Sequence, residues 1–114
     1  MIADNDPDAL DLLDLDLDLE GHDIVGRARN GNEAIALCRD LSPDLLVVDL
    51  RMPPGPDGLA VVKALQGQPG LSVIVYTNYR DTRLAARADR LGAAYLLKGD
   101  LRTLRAAIAD IPRA

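Results

Sequence analysis

Short apolar runs alternate regularly with longer amphipathic stretches along this chain, and few folds accommodate that rhythm. After Ile2-Ala3, the runs "DIVGRA" (Asp23–Ala28), "DLLVVD" (Asp44–Asp49), "SVIVYT" (Ser72–Thr77) and "AAYLLK" (Ala93–Lys98) read as strands. The middle two are nearly continuous Leu, Val and Ile, the pattern of parallel strands covered on both faces. Between them, "NEAIALCRDL", "DGLAVVKALQ" and "DTRLAARADRLG" carry apolar residues at helical spacing, the last ending on Gly92 as a cap. "DLRTLRAAIADI" closes the chain as a helix capped by Asp100. Five β-α units in a row predict one α/β domain, residues 1–114, built on a doubly wound five-stranded parallel sheet. The first strand has only Met1-Ile2-Ala3, so it is either short or trimmed at its front.

The first connection is the ambiguous one. In "DLLDLDLDLE" (Asp11–Glu20), leucine and aspartate alternate as in a half-buried strand, and the spaced acids resemble a calcium loop. Counting from Asp14, however, positions six and twelve are Leu19 and Val25, where a calcium loop needs Gly and Glu. Parallel strands need a crossover of a dozen or more residues, and Pro7–Glu20 is the only segment available. Asp6 can cap a helix there, Pro7 suits its first position, and Asp8 favours its positive end. Leu10, Leu13 and Leu17 then share one face. Their burial, at roughly 1.5–3 kcal/mol each, outweighs acid repulsion of roughly 0.2–0.5 kcal/mol per i,i+4 pair. Leu12, Leu15 and Leu19 form a second stripe, which either covers a neighbouring helix or presents a docking surface.

With 13 basic and 18 acidic residues the chain is net −5. The basic residues, eleven of them Arg, read as spread rather than clustered, so direct nucleic-acid contact is not expected. No apolar run approaches the roughly 18 residues of a membrane span, and the start lacks the features of a signal peptide. A lone Cys38 at helical spacing reads as a buried apolar residue in a reducing, cytoplasmic setting. His22, in the turn after the first helix, reads as a solvated loop residue.

The strand ends carry the chemistry. In a doubly wound sheet the carboxyl ends of the strands meet in a crevice. Asp4, Asn5 and Asp6 follow strand one, Asp49 ends strand three, Thr77 strand four and Lys98 strand five. Two carboxylates repel by about 4 kcal/mol at 4 Å and an effective dielectric near 20, which invites a cation. Oxygen ligands select a hard ion such as Mg²⁺. A carboxylate can attack a phosphoryl group while Mg²⁺ and a lysine offset the charge. Asp49, held by "LLVV" at the mouth of the central sheet, is the best nucleophile candidate.

"IADNDP", "PDLLVVDLRMP", "DGL", "VIVYTNY" and "GAAYLLKGD" resemble, in order and spacing, the signature segments of response-regulator receiver domains. The resemblance covers essentially the whole chain. It implies a flavodoxin-like sheet of order 2-1-3-4-5 and a signalling phosphoacceptor that catalyses only its own phosphorylation and dephosphorylation. By that resemblance Asp49 accepts a phosphoryl group from a sensor histidine kinase. Asp4, Asn5, Asp49 and the backbone carbonyl of Arg51 hold Mg²⁺. Thr77 is the switch hydroxyl, Lys98 the paired amine and Tyr95 the aromatic switch. The resemblance also implies an output domain or partner, with homodimerisation open. The first helix of receivers often meets the kinase, so Asp11, Asp16, Asp18 and Glu20 around the second leucine stripe would steer a basic partner.

Three departures stand out. Asn5 replaces the usual second acid and loses a charge, so weaker Mg²⁺ affinity is expected, with Asp6 as a substitute ligand. "RMPPGPDG" is one residue longer than the common loop, an expected source of displacement of Asp57 and Gly58. Gly99 follows Lys98 where many receivers carry proline, and "LLKGD" is more similar to the subfamily with helix-turn-helix output. The competing readings are a degenerate receiver acting as an unphosphorylated interaction or dimerisation module, a nucleotide- or flavin-binding module, and a hydrolase. "DNDPD" would repel phosphate, and no His or second base lies near the strand ends.

Overall fold

The computed structural model describes residues 1–111, so the last three residues of the expected 1–114 domain lie outside the described residues. The chain alternates strand and helix throughout: β1 (Ile2–Ala3), α1 (Pro7–Leu19), β2 (Arg27–Ala28), α2 (Gly31–Leu41), β3 (Leu45–Val48), α3 (Gly58–Ala64), β4 (Ser72–Thr77), α4 (Thr82–Arg90), β5 (Ala94–Leu97) and α5 (Leu101–Ala109). All pairings are parallel, in the order β2-β1-β3-β4-β5. The fold and strand order expected from the sequence are therefore present.

Alternation along the strands builds two cores. Ile2, Val47, Ile74 and Tyr76 face Leu10, Leu13 and Leu17 of α1 and Leu104 and Ile108 of α5. Ala3, Leu46, Val48 and Val75 face the other way, against α2, α3 and α4. The sheet is thus covered on both faces, as its unbroken apolar runs require. Cys38 is fully buried in the second core, and burial pushes its thiol pKa up.

β2 is shorter than its sequence suggests. Of the run Asp23–Ala28 only Arg27 and Ala28 are strand, because Ile2 pairs with Arg27 and nothing in β1 lies opposite Asp23–Val25. Without a ladder partner, apolar alternation alone does not make a strand.

α1 forms as its caps dictate. Pro7 opens the helix, the Asp6 carboxylate accepts the Asp8 N–H at 3.0 Å, and Leu10, Leu13 and Leu17 are buried. Leu12, Leu15 and Leu19 are 55%, 59% and 76% exposed. The expectation that this stripe covers a neighbouring helix therefore fails, since α5 packs on the first stripe. The acids around it are also less available than their number suggests. Arg27 pairs with Asp11 at 2.6 Å and Asp14 at 3.1 Å. Arg105 of α5 pairs with Glu20 at 3.1 Å and with Asp16, which is buried. Of the four acids expected to steer a partner, only Asp18 has no ion pair among the described residues.

A second correction concerns the basic residues. Arg80, Arg83, Arg87 and Arg90 are all exposed and lie on or beside α4, so the arginines are clustered there after all. Their 3-4-3 spacing is legible in the sequence, and one helix brings three of them onto one side.

Candidate functional site

Asp4 follows β1 and Asp49 follows β3, and the pairing of Ala3 with Val48 puts them side by side at the carboxyl edge of the sheet. Asp49 N–H donates to the Ala3 carbonyl at 2.9 Å, which fixes that register. β5 reaches the same edge because Lys98 N–H donates to the Thr77 carbonyl at 2.8 Å. The Lys98 Nζ then donates to Asp4 Oδ2 at 2.6 Å and to Asp49 Oδ2 at 3.2 Å. One ammonium bridges two carboxylates from neighbouring strands.

The remaining carboxylate oxygens are held by the backbone. Asp4 Oδ1 accepts the Asp6 N–H at 2.9 Å, and Asp49 Oδ1 accepts the Leu50 N–H at 2.7 Å. Asp4 is buried, whereas the Asp49 side chain keeps 15% of its surface open to the crevice. Of the two carboxylates, Asp49 is therefore the one that can be reached from the crevice. Burial would lower the Lys98 pKa, but the hydrogen bond to Asp4 and the charge of Asp49 outweigh it and hold the ammonium above its ordinary value. The amine therefore stays cationic at neutral pH, as two adjacent carboxylates require.

Thr77, the last residue of β4, is buried at this edge, and its Oγ1 accepts the Tyr79 N–H at 3.3 Å. Tyr95 on β5 is half-buried, and its hydroxyl donates to the Tyr79 carbonyl at 2.6 Å. Thr77 and Tyr95 thus grip the same residue of the β4–α4 loop from two strands. Arg51 is exposed, with its guanidinium 4.0 Å from the centre of the Tyr79 ring.

The donor set matches a hard divalent cation in type but carries reduced charge. Asp4 and Asp49 offer carboxylate oxygens, and Asn5, exposed beside Asp4, offers a neutral carbonyl. Asp6 is not a substitute acid, because its carboxylate caps α1. Accordingly, no three His, Cys, Asp or Glu side chains converge on a metal-holding cluster among the described residues. Asp4, Asn5, Asp49 and the Arg51 carbonyl still suit Mg²⁺ in being oxygen donors.

Sequence reasoning overlooked the Leu50 amide, and it named Gly58 only for the length of its loop, not for its contact with Asp49. Despite the longer loop, Asp57 caps α3 by accepting the Ala60 N–H at 2.9 Å, and Gly58 N–H donates to the Leu50 carbonyl at 2.7 Å. A Cβ on Gly58 would sit 2.5 Å from the Asp49 carbonyl oxygen, so only glycine lets α3 close against the Asp49 backbone. The Asp-Gly pair at the helix start was the available signal.

Comparison with known proteins points the same way. The family model for the response regulator receiver domain matches residues 1–109. Response regulator GacA of Pseudomonas aeruginosa is 39% identical over 84 residues, which are 72% of this chain and 39% of GacA. The chain thus spans about two fifths of that relative. The signal receiver domain of NarL from Mycobacterium tuberculosis superposes with a TM-score of 0.86 at 28% identity, covering 95% of this chain and 90% of that one. The isolated receiver domain of RcsB from Salmonella enterica serovar Typhimurium, solved with the phosphomimetic BeF₃⁻, gives 0.85 at 28% identity, covering 95% and 83%.

Proposed function

This chain belongs to the response-regulator receiver domain family, and from that premise we propose that it takes a phosphoryl group onto Asp49 from a sensor histidine kinase. The observation that carries the proposal is the Lys98 ammonium bridging Asp4 and Asp49 at the carboxyl edge of the sheet. A carboxylate oxygen of Asp49 attacks phosphorus, the P–N bond to the donor imidazole breaks, and the imidazole keeps the electron pair. The Leu50 N–H orients the carboxylate, and Lys98 offsets the charge that the phosphoryl group brings. Asp4 keeps Lys98 placed and charged. Mg²⁺, held by Asp4, Asn5, Asp49 and the Arg51 carbonyl, would supply Lewis-acid charge neutralisation at the phosphoryl oxygens.

Thr77 and Tyr95 are the proposed switch pair. Both bind Tyr79, so a Thr77 hydroxyl drawn toward a phosphoryl oxygen releases the Tyr79 amide that it now accepts. The released loop leads directly into α4, which carries the change to an output domain or partner. Residues 1–114 are proposed to act as one receiver unit in the cytoplasm. No helix among the described residues is long and apolar enough to cross a membrane.

Intact mass after incubation with a small acyl phosphate, with Mg²⁺ and then with a chelator, tests the proposal. One labile phosphoryl adduct, formed only with Mg²⁺, is expected. No adduct under either condition would favour an interaction module that is never phosphorylated. A separate titration addresses the neutral Asn5. Asn5→Asp should tighten Mg²⁺ binding about tenfold at fixed ionic strength, as one added charge near the ion implies. Unchanged affinity would remove Asn5 from the metal shell.

A further inference from the structure

Tyr76 brings a hydroxyl into a core whose other side chains are aliphatic. The chain has three tyrosines and no Phe or Trp, and of the three only Tyr76 is buried, at 5% exposed. Its ring lies among Ile2, Leu13, Val47, Ile74 and Leu104, between the sheet and helices α1 and α5. Phenylalanine would fill that space without a polar atom, and a buried hydroxyl costs free energy unless it finds a partner. The partner here is a backbone group, because the Gly99 N–H donates to the Tyr76 hydroxyl. Burial pushes the Tyr76 pKa up, against the opposing pull of that amide and of the Lys98 charge. The phenol therefore stays neutral at neutral pH.

Gly99 directly follows Lys98 and is itself weakly held. Its φ is +133°, and a Cβ there would meet nothing within 4 Å, so no side chain braces the turn from β5 into α5. Among the described residues its N–H makes no hydrogen bond to another backbone group. On the other side of Lys98 the backbone is fixed, since Lys98 N–H donates to the Thr77 carbonyl at 2.8 Å. Consecutive residues of β4 thus hold the two peptide groups that flank Lys98, Thr77 the one before and Tyr76 the one after. With both peptide planes held, φ and ψ of Lys98 are set, and with them the direction in which its side chain leaves the sheet. From that starting point the ammonium meets Asp4 at 2.6 Å and Asp49 at 3.2 Å.

We propose that Tyr76 is a positioning residue for Lys98: through the Gly99 amide, its hydroxyl fixes the backbone from which the ammonium bridges Asp4 and Asp49. The kinetic consequence rests on Asp49 as the phosphoryl acceptor, whereas the placement of the amine does not.

Tyr76→Phe removes the hydroxyl alone and tests the proposal. Exchange of the Gly99 amide with solvent should quicken about tenfold, while the amides of β4 keep their protection. The Lys98 ammonium signal in ¹⁵N NMR, which two carboxylates shield from rapid exchange with water, should broaden or vanish at fixed pH. Phosphorylation by a small acyl phosphate with Mg²⁺, followed by intact mass, should slow by about three- to tenfold, the range of one lost hydrogen bond. Ile74→Val, on the same strand and face but without a polar atom, should lower stability in urea and leave all three readings unchanged. An unchanged Gly99 amide or an unchanged Lys98 signal in Tyr76→Phe would overturn the proposal. So would a loss of rate that Ile74→Val reproduces. If the unaltered chain takes no phosphoryl group, the phosphoacceptor reading fails, and the two NMR readings alone decide the placement of Lys98. Should Tyr76→Phe lose its fold by circular dichroism, the unaltered chain decides instead. A Gly99 amide that exchanges as fast as a free one then overturns the proposal, and a protected amide close to the Tyr76 ring upholds it.

Discussion

Asp49→Asn is expected to remove the phosphoryl adduct while leaving the fold in place. Asn keeps the volume of Asp and retains a side-chain oxygen for the Leu50 N–H, so the local geometry survives. It lacks a carboxylate nucleophile and the charge that pairs with Lys98. Intact mass should show adduct in the unaltered chain and none in the variant, a loss of at least about 100-fold in rate. Lys98→Met should slow the reaction by on the order of 10²–10³-fold, the usual cost of deleting one preorganised charge partner at a reacting oxygen. Because Asp4 is buried against Lys98, that second variant should also melt earlier, whereas Asp49→Asn should not. Adduct that persists in Asp49→Asn, on another acid, would end the assignment.

Leu13→Ala should destabilise the chain by about 2–5 kcal/mol in urea, while Leu15→Ala should change stability by less than about 0.5 kcal/mol. The two residues are one half-turn apart on the same helix, so propensity and caps are shared. What differs is burial: Leu13 is 4% exposed between the sheet and α5, and Leu15 is 59% exposed. If the exposed stripe docks the kinase, Leu15→Ala should slow phosphotransfer from that kinase without slowing phosphorylation by a small acyl phosphate. That pairing separates docking from chemistry. The association should depend on salt only weakly, because Arg27 and Arg105 already neutralise most of the flanking acids. Equal destabilisation by both substitutions would place the second stripe in the core.

The sequence by itself determined the order of elements, the parallel sheet and the edge at which Asp4, Asp49, Thr77 and Lys98 gather. These follow from local facts: apolar runs covered on both faces, helices opened by Asp6, Asp57, Asp81 and Asp100, and polar residues where the runs stop. Asp4, Asp49, Thr77 and Lys98 were legible because each directly adjoins or ends an apolar run, and a parallel sheet carries all such ends to one side. Only the tertiary structure decided how charges pair across distances that no periodicity encodes. Asp16 and Arg105 are 89 residues apart, and their contact turned an acid expected at a docking surface into a buried partner of α5. The length of β2 depended on which residues β1 could pair, and the exposure of Leu15 on which stripe α5 covered. Gly58 was marked in the sequence only by the length of its loop, and the fold brings it against the Asp49 carbonyl. Periodicity tells which face of an element is apolar, but what that face meets is set by packing between distant segments.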